Sequence, residues 1–369
     1  MTTTTTAAIL RGAGLPLTLE PVDIGPLAPD EVLVRVAGVG ICHTDLGVIA
    51  APGEGQTPIV LGHEGAGTVE AVGTDVTAVR PGDLVVLSYA HCGRCDNCVG
   101  ALPMHCREFI PRNLVGARMD GSTPLSANGE PVLGAWFGQS SWAGHSVTTE
   151  RNCVKVADDL PLELLGPLGC GIQTGAGAVL NTLNPRPGSS IAVFGVGSVG
   201  LAALLGAVAA ECEVIVAVDI DDSRLARAKD LGATHTINSA ALDPAAEIKE
   251  ITGGLGVQYS VDCIGLAEVV RSALECLQSP GVCASVGFQG LPNTVAIDQG
   301  DLLFGKTLIG VIEGDSVPQT FIPRMLELYR AGRFPFDKLI STYPFEQIHA
   351  ALDDVHHGKV TKAVLVFDE

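Results

Sequence analysis

The sequence is poor in aromatic residues and in positive charge, and it contains no long apolar run. Aromatic residues make up 4% of the 369 residues, and 22 lysines and arginines stand against 41 aspartates and glutamates, which gives a formal net charge of -19. Because no basic cluster is present, we expect neither a nucleic acid nor an anionic membrane surface as a partner. The longest apolar run, residues 199–210, is too short to cross a bilayer.

The beginning of the chain, MTTTTTAAILRGAG, lacks both a basic leading segment and a long apolar stretch, so we expect no secretory signal and a cytoplasmic protein. Hydrophobic residues make up 47% of the sequence and charged residues 17%, which is typical of a compact globular protein. Because a single hydrophobic core usually stops growing at about 250–300 residues, we expect two domains.

The hydrophobic pattern changes near the middle of the chain. From Ala7 to about Thr149, short alternating strands such as EVLVRVAGVG (31–40) are separated by glycine and proline, which predicts a β-rich, barrel-like domain. The polar, turn-rich residues 120–134 predict an excursion over the surface. After Gly314 a helix and a final apolar strand follow, and we expect this tail to return to the first domain.

Six buried-strand runs, separated mostly by helical segments, follow Gly171. They read SIAVFGVG, EVIVAVDI, THTINS, YSVDCIG, GVCASVGF and TLIGVIEG. Continuous apolar strands that alternate with helices predict a doubly wound parallel sheet. The fold class is therefore α/β, with a separate β-rich domain.

Four of the eleven cysteines are clustered with the spacing Cys-x2-Cys-x2-Cys-x7-Cys: Cys92, Cys95, Cys98 and Cys106. A reducing compartment disfavours structural disulfides, so this cluster indicates a metal site. Four thiolates match a closed tetrahedral zinc site with bonds of about 2.3 Å, and Gly93 and Gly100 allow the tight turns it needs. Such a zinc ion has a structural role. An iron–sulfur cluster or four exposed thiols are the alternatives.

The segment GVGICHTDLG (38–47) places a thiol, an imidazole, a hydroxyl and a carboxylate side by side, and buried polar groups of this kind need partners. For Cys42 the candidate partners are His63 and Glu64 in LGHEG, and Cys170 in PLGCG. Two cysteines and one histidine leave a fourth zinc position open, which is the ligand set of the catalytic zinc in alcohol dehydrogenase. Alternatively, Cys170 packs in the core and His63 pairs with a carboxylate.

A glycine pattern between a strand and a helix indicates a dinucleotide site. Gly195, Gly197 and Gly200 form Gly-x-Gly-x-x-Gly, and Asp219 ends the next strand. The first glycine allows the tight turn, the second a close approach of the pyrophosphate, and the third close packing of helix and strand. An acidic residue at the position of Asp219 binds the ribose hydroxyls.

The charges around Asp219 favour NAD over NADP. Asp221 and Asp222 follow it, and these carboxylates would repel a 2′-phosphate. Arg224, which lies nearby in the sequence, keeps NADP as the alternative.

With these motifs the chain resembles the zinc-dependent medium-chain alcohol dehydrogenases, and within them the group that acts on benzyl, aryl and allylic terpene alcohols. The likeness covers essentially the whole chain, and it is carried by EVLVRVAGVGICHTDL, LGHEGAGTVEAVG, the four-cysteine segment, PLGCGIQTGAGAVLN and KVTKAVLVF. The stretch FGQSSWAGH is the one most suggestive of the aryl and terpene group.

The resemblance implies a GroES-like catalytic domain formed by residues 1–171 and 314–369, with a Rossmann domain at residues 172–313. It further implies NAD in a cleft at their junction, two zinc ions per chain, and homodimers or homotetramers joined through the nucleotide domains.

The resemblance also implies roles for individual residues. Cys42, His63 and Cys170 correspond to the catalytic zinc ligands. Glu64 corresponds to a carboxylate that approaches the metal during ligand exchange. Asp45 corresponds to the carboxylate that orients His63.

Further correspondences concern the proton, the cofactor and the substrate. Thr44 matches the hydroxyl that takes the alcohol proton. In liver-type enzymes a histidine ends the proton relay, but this chain has Gly47 at that position, so we expect the relay to end in ribose hydroxyls and water. His43 and Lys362 match basic groups on the pyrophosphate, with a solvated or helix-capping imidazole and a surface lysine as the alternatives. The substrate pocket is expected to be lined by Trp136, Phe137 and Phe288, or these rings pack in the core.

The expected reaction is the reversible oxidation of primary aryl, benzylic or allylic alcohols to aldehydes, with hydride transfer to NAD. A second candidate is a dehydrogenase for the hydroxymethyl adduct of formaldehyde with a small thiol, although such substrates call for cationic pocket residues that this acidic chain does not offer. A third is a zeta-crystallin-like NAD-binding protein, which predicts that a catalytic zinc ligand is missing.

Overall fold

The computed structural model describes residues 3–290 and 292–367, and the chain divides into two compact units. The first comprises Met1–Cys170, Val317–Pro323 and Leu339–Glu369, and the second comprises Gly171–Ser316 and Arg324–Lys338. The second unit thus includes residues 324–338, whereas the sequence led us to expect all of residues 314–369 in the first.

The first unit contains two mainly antiparallel sheets. Its strands are β1 (Thr3–Leu10), β2 (Thr18–Ile24), β3 (Glu31–Gly40), β4 (Ile59–Val60), β5 (Gly65–Val72), β6 (Leu84–Leu87), β7 (Leu125–Ala127), β8 (Glu130–Val132), β9 (His145–Thr149), β10 (Cys153–Lys155), β17 (Ile340–Pro344) and β18 (Lys362–Val366). One sheet has the order β4-β1-β2-β7-β8, and the other has the order β10-β6-β5-β3-β18-β17 with β9 also paired to β3. The β-rich first domain is therefore present.

Strand β3 is central to the first unit because both of its faces are mostly buried and it leads directly to Cys42. It pairs with β5, β9 and the C-terminal strand β18, where Val364 lies opposite Gly40. A side chain at Gly38 would collide with the Glu163 backbone, so only glycine permits this close packing. The tail therefore returns to the sheet that carries the first candidate ligand.

Residues 120–134 differ from the expected surface excursion, because β7 and β8 form a hairpin that extends the first sheet through β2. The hairpin turn is Asn128-Gly129, and both residues have positive φ angles, 52° and 81°. An Asn-Gly pair with two positive φ angles is a strong hairpin signal, which the polarity of the surrounding sequence obscured.

The helices of the first unit are short. They are α1 (His43–Ala50), α2 (Asp96–Val99), α3 (Phe109–Asn113) and α11 (Ile348–His356). Helix α2 lies within the four-cysteine segment and α3 follows it. Helix α10 (Pro318–Arg330) is shared, since the division between the units falls within it.

The second unit is a six-stranded parallel sheet with helices between its strands, as the sequence predicts. Its strands are β11 (Ser190–Phe194), β12 (Val214–Asp219), β13 (His235–Asn238), β14 (Val257–Asp262), β15 (Leu277–Ser285) and β16 (Lys306–Gly310). Its helices are α4 (Gly171–Gly177), α5 (Ser198–Ala209), α6 (Asp222–Asp230), α7 (Pro244–Ile251), α8 (Ala267–Glu275) and α9 (Gln299–Leu303).

The strand order of this sheet is β13-β12-β11-β14-β15-β16, which is the Rossmann order. Strand order reverses at β11, between β12 and β14, and ligands bind at the carboxyl ends of strands beside such a reversal. Among the described residues, no helix has both the length and the apolar character needed to cross a membrane.

Candidate active site

Three predicted zinc ligands from separate segments meet in the first unit. Cys42 lies at the N-terminus of α1, His63 lies between β4 and β5, and Cys170 directly precedes α4. The ligand atoms of all three lie within 4.8 Å of one another. His63 and Cys170 are buried and Cys42 is half-buried. No ligand of the predicted set is missing, which disfavours the crystallin-like alternative.

The state of the His63 ring tests whether this set fits a metal ion. Its Nδ1 lies 2.9 Å from Asp45 Oδ1, whereas its buried Nε2 has no hydrogen-bond partner within residues 3–290 and 292–367. A buried ring nitrogen without a partner is costly unless something binds there. Two sulfur atoms and this nitrogen form the donor set that zinc prefers, so the residues present fit zinc.

The charges of these side chains shift one another's pKa values. A hydrogen bond from Cys170 and the charge of His63 lower the pKa of the Cys42 thiol well below its usual range, against the opposing effect of burial. Burial lowers the pKa of His63, but the negative charges of Asp45 and Cys42 outweigh burial and leave the pKa raised. The lowered pKa of Cys42 favours the thiolate, which is the form of cysteine that binds metal.

Asp45 is fully buried in the first turn of α1 and contacts His63 as the resemblance implies. Its Oδ1 accepts hydrogen bonds from His63 Nδ1 at 2.9 Å, the backbone N–H of Gly62 at 3.2 Å and Trp136 Nε1 at 2.9 Å. Its Oδ2 accepts from the backbone N–H of Cys42 at 3.3 Å. The donation from Trp136 is a contact that the sequence does not reveal.

Lys362 is buried, with 2% exposure, so it is not the surface lysine of the alternative prediction. Its Nζ lies 2.8 Å from both carboxylate oxygens of Glu64 and 3.1 Å from the carbonyl oxygen of Ile41. Burial lowers the pKa of Lys362, but the Glu64 carboxylate outweighs this effect and raises it. The observed partner of Lys362 is thus Glu64, and a contact with the pyrophosphate stays a prediction.

The first residues of α1 carry the remaining predicted polar groups. The Thr44 hydroxyl lies 3.8 Å from Cys42 Sγ on the exposed side of the ligand set. His43 begins α1 and is exposed, as is Gly47 one turn later. A contact between His43 and the cofactor stays a prediction.

Aromatic rings surround His63. Phe137 stacks on its imidazole with ring centroids 4.3 Å apart, and Trp136 meets Phe137 edge-on at 5.3 Å. Tyr89 and Phe109 continue the cluster, with ring centroids 5.9 Å apart. Phe109 was missed from sequence because it follows the four-cysteine segment and has no motif of its own.

The three predicted pocket residues differ in exposure. Trp136 and Phe137 are 2% and 5% exposed in the first unit, whereas Phe288 is 74% exposed in the second. A role for these rings in lining the substrate pocket stays a prediction, and the core-packing alternative applies only to the two buried ones.

The four-cysteine segment forms the second candidate metal site, with the sulfur atoms of Cys92, Cys95, Cys98 and Cys106 within 4.8 Å of one another. Backbone N–H groups point to these sulfurs, including that of Glu108 to Cys106 at 3.4 Å. Backbone N–H donors lower the pKa of Cys95 to about 6. Turns that donate to sulfur and convergent thiols fit a structural zinc ion.

The predicted dinucleotide turn has the expected backbone geometry in the second unit. Gly195 follows β11 with a φ of 82°, and a side chain there would lie 2.5 Å from Ile264. A side chain at Gly200 would collide with the carbonyl oxygen of Gly195. At Gly197, by contrast, a Cβ would meet nothing within 4 Å, so the approach to this backbone is open.

Asp219 ends β12 beside this turn and is 4% exposed. Its carboxylate accepts hydrogen bonds from the backbone N–H groups of Val196 at 2.9 Å and Ile220 at 2.8 Å. Arg224 lies 3.9 Å from its Oδ1, so the preference for NAD over NADP stays a prediction.

Comparisons with known proteins agree with this geometry. The model of the alcohol dehydrogenase GroES-like domain matches residues 28–158, and that of zinc-binding dehydrogenases matches residues 198–331. A geraniol dehydrogenase of Castellaniella defragrans is 51% identical over 98% of this chain and 97% of its own length. Alcohol dehydrogenase class-2 isozyme 2 of Oryctolagus cuniculus is 36% identical over the same shares.

Two solved structures are also similar. An alcohol dehydrogenase zinc-binding domain protein from Burkholderia ambifaria has a TM-score of 0.96 and 48% identity, with all of both chains covered. Benzyl alcohol dehydrogenase from Acinetobacter calcoaceticus has a TM-score of 0.95 and 44% identity, with 99% of this chain and 100% of its own covered.

The two candidate metal sites predict a metal content. We expect two zinc ions per chain in the intact protein and one in Cys42→Ala, because the four-cysteine site does not use Cys42. Elemental analysis after dialysis measures this content. Cys212→Ser, which changes a thiol outside both sites, should keep two ions. Two zinc ions in Cys42→Ala would contradict the assignment.

Proposed function

Because the chain belongs to the zinc-dependent alcohol dehydrogenases, we propose that it oxidises primary allylic, benzylic and other aryl alcohols reversibly to aldehydes with hydride transfer to NAD. Family membership confirms the predicted fold class, an oxidoreductase activity, and zinc and NAD as cofactors. The observation that carries the proposal is the convergence of Cys42, His63 and Cys170 around an imidazole nitrogen that lacks a partner.

Residues of the first unit have different roles in this reaction. When bound, zinc lowers the pKa of an alcohol hydroxyl as a Lewis acid, and NAD is the hydride acceptor. Cys42, His63 and Cys170 would hold the metal, and Asp45 fixes the orientation of the His63 ring. The Thr44 hydroxyl accepts the alcohol proton as it gives its own proton to water, and its exposed position provides this route to solvent without a histidine at Gly47.

Aromatic side chains beside His63 support the substrate class. Phe137 lies flat against the imidazole, Phe109 meets Phe137 edge-on, and Tyr89 lies beside Phe109. Rings of this kind suit flat, apolar substrates such as aryl and allylic alcohols. The buried cation Lys362 is already paired with Glu64, so it is not free for the carboxylate of a thiol adduct. The names of the geraniol and benzyl alcohol relatives favour the same class.

A substrate and cofactor panel tests this proposal. We expect benzyl alcohol and geraniol to exceed ethanol in kcat/KM by at least about 10-fold, since even one methylene in an apolar pocket changes it by roughly 10- to 200-fold. NADH or NADPH formation is followed by fluorescence. A higher kcat/KM for formaldehyde with a small thiol would reject the substrate class, and a higher kcat/KM with NADP than with NAD would reject the cofactor preference.

A change at Thr44 tests the proton step. Thr44→Ala should lower kcat about 10²- to 10⁴-fold while both zinc ions are retained, because general acid–base steps contribute roughly this much. Thr44→Ser keeps a hydroxyl and should retain most of the activity. Turnover of Thr44→Ala close to that of the wild type would exclude Thr44 from the relay.

We include a homodimer or homotetramer and a cytoplasmic location in the proposal. Strand β16 is an edge of the parallel sheet, and exposed apolar side chains lie on this strand, at the end of helix α9 and next to them in the chain: Leu303 (69% exposed), Phe304 (75%), Ile309 (39%) and Ile312 (38%). Exposed edges beside apolar side chains favour pairing with a second copy. A reducing cytoplasm suits the location because six thiols must stay reduced to bind metal.

Light scattering tests the assembly. The wild type should have at least twice the chain mass, and Ile309→Lys should shift it towards the monomer by placing a charge on the edge strand. Leu15→Lys, which changes an exposed apolar residue in the first unit, is the control. A monomeric wild type, or an unchanged mass in Ile309→Lys, would rule out this interface.

A further inference from the structure

We propose that Trp136 is a positioning residue of the catalytic zinc site, whose indole N–H holds the Asp45 carboxylate so that His63 presents Nε2 to the metal. The inference rests on the proposed zinc chemistry and extends it beyond the ligands and Asp45. It assigns Trp136 a role through Asp45 in place of the predicted role in lining the substrate pocket.

The first argument is the hydrogen-bond demand of Asp45. Its carboxylate is fully buried, and a buried charge is stable only if its oxygens receive enough donors. Among the described donors to Oδ1, one is the His63 ring, one is the backbone of Gly62, and one is Trp136 Nε1 at 2.9 Å. Trp136 thus supplies the only side-chain donor to Asp45 besides His63 among the described residues.

The second argument is that Trp136 is held rigidly to the segment that carries His63. Its backbone N–H donates to Ser140 Oγ at 2.9 Å, and this hydroxyl donates to the carbonyl oxygen of Val60 at 2.6 Å. Val60 ends β4, from which the chain continues to His63. Because Trp136 is bonded to the segment that carries His63, its indole N–H holds the Asp45 carboxylate in place relative to the His63 ring.

The third argument is the direction of the indole. Trp136 is 2% exposed, and its indole N–H donates a hydrogen bond to Asp45 inside the first unit. Phe137, and not Trp136, lies flat on the imidazole. A Trp136 that only filled space would not need an N–H aimed at a buried carboxylate.

The chain provides a matched control, because its only other tryptophan, Trp142, is fully buried and its Nε1 has no hydrogen-bond partner in the part of the chain that the structure describes. Trp142→Phe and Trp136→Phe remove the same atoms from buried sites in one unit. Only Trp136→Phe removes a hydrogen bond through the indole nitrogen. A difference between the two variants therefore reports the N–H group and not the lost volume.

Release of catalytic zinc to a chelator is the primary measurement. The catalytic phase of release is identified as the one that Cys42→Ala lacks. We expect Trp136→Phe to bind this zinc about 10- to 100-fold more weakly, the usual cost of removing an outer-shell partner, and Trp142→Phe to resemble the wild type. The four-cysteine zinc should be unchanged in both variants. Equal zinc loss in the two variants, or none in Trp136→Phe, would overturn the proposal.

A double-mutant cycle with Asp45→Asn tests whether Trp136 acts through Asp45. If it does, Trp136→Phe should weaken zinc binding much less in the Asp45→Asn background than in the wild type. Full additivity of the two effects would contradict the proposal. Because zinc binding is measured without any substrate, this result remains informative even if the substrate panel fails.

A measurement on indole resonances covers the case in which Trp136→Phe does not fold. With two tryptophans in the chain, a ¹⁵N-labelled sample has two indole N–H signals, and Trp142→Phe assigns them. We expect the Trp136 signal to move upfield in Asp45→Asn, because its acceptor loses its charge, while the Trp142 signal stays near its position. An unmoved Trp136 signal would show that its N–H does not bind the Asp45 carboxylate.

Discussion

The buried carboxylate of Asp45 is the constraint on which the catalytic unit depends. A charge without contact with water is tolerated only when donors surround it, and the donors come from the start of α1, from the segment that carries His63 and from the turn of Trp136. The cluster of polar residues at positions 42–45 is thus stable because the rest of the first unit supplies partners. The same bonds orient the His63 ring and leave its Nε2 for a metal.

A second buried charge connects the end of the chain to this centre. Lys362, the first residue of β18, pairs with Glu64, which is next to the candidate ligand His63. Strand β18 also pairs with β3, the strand that leads to Cys42. Folding of the tail onto the first sheet and electrostatic balance beside the metal site are therefore linked. Removal of either charge would leave the other buried without its partner.

The nucleotide-binding unit depends on backbone geometry more than on charge. Positive φ at Gly195 and the absence of a side chain at Gly200 bring β11 and α5 together, and Gly197 leaves the helix N-terminus open to a pyrophosphate. All three features lie within a few residues of one another. The requirements of metal and dinucleotide thus fall on different units, since the thiols and the imidazole proposed to hold zinc lie in the first and the glycine turn lies in the second.

Features that depend on short segments could be predicted from the sequence alone. The four-cysteine site, the glycine turn with Asp219 and the six parallel strands follow from local spacing and hydrophobic periodicity, because each is formed by residues close in the chain. The Asn128-Gly129 hairpin was also a local signal, but the polar sequence around it masked it. Only the tertiary structure decided the partner of Lys362, which is 298 residues from Glu64, and that of Trp136, which is 91 residues from Asp45. Contacts across such distances are set by the way the strands and turns pack, and no local pattern encodes which buried donor meets which buried charge.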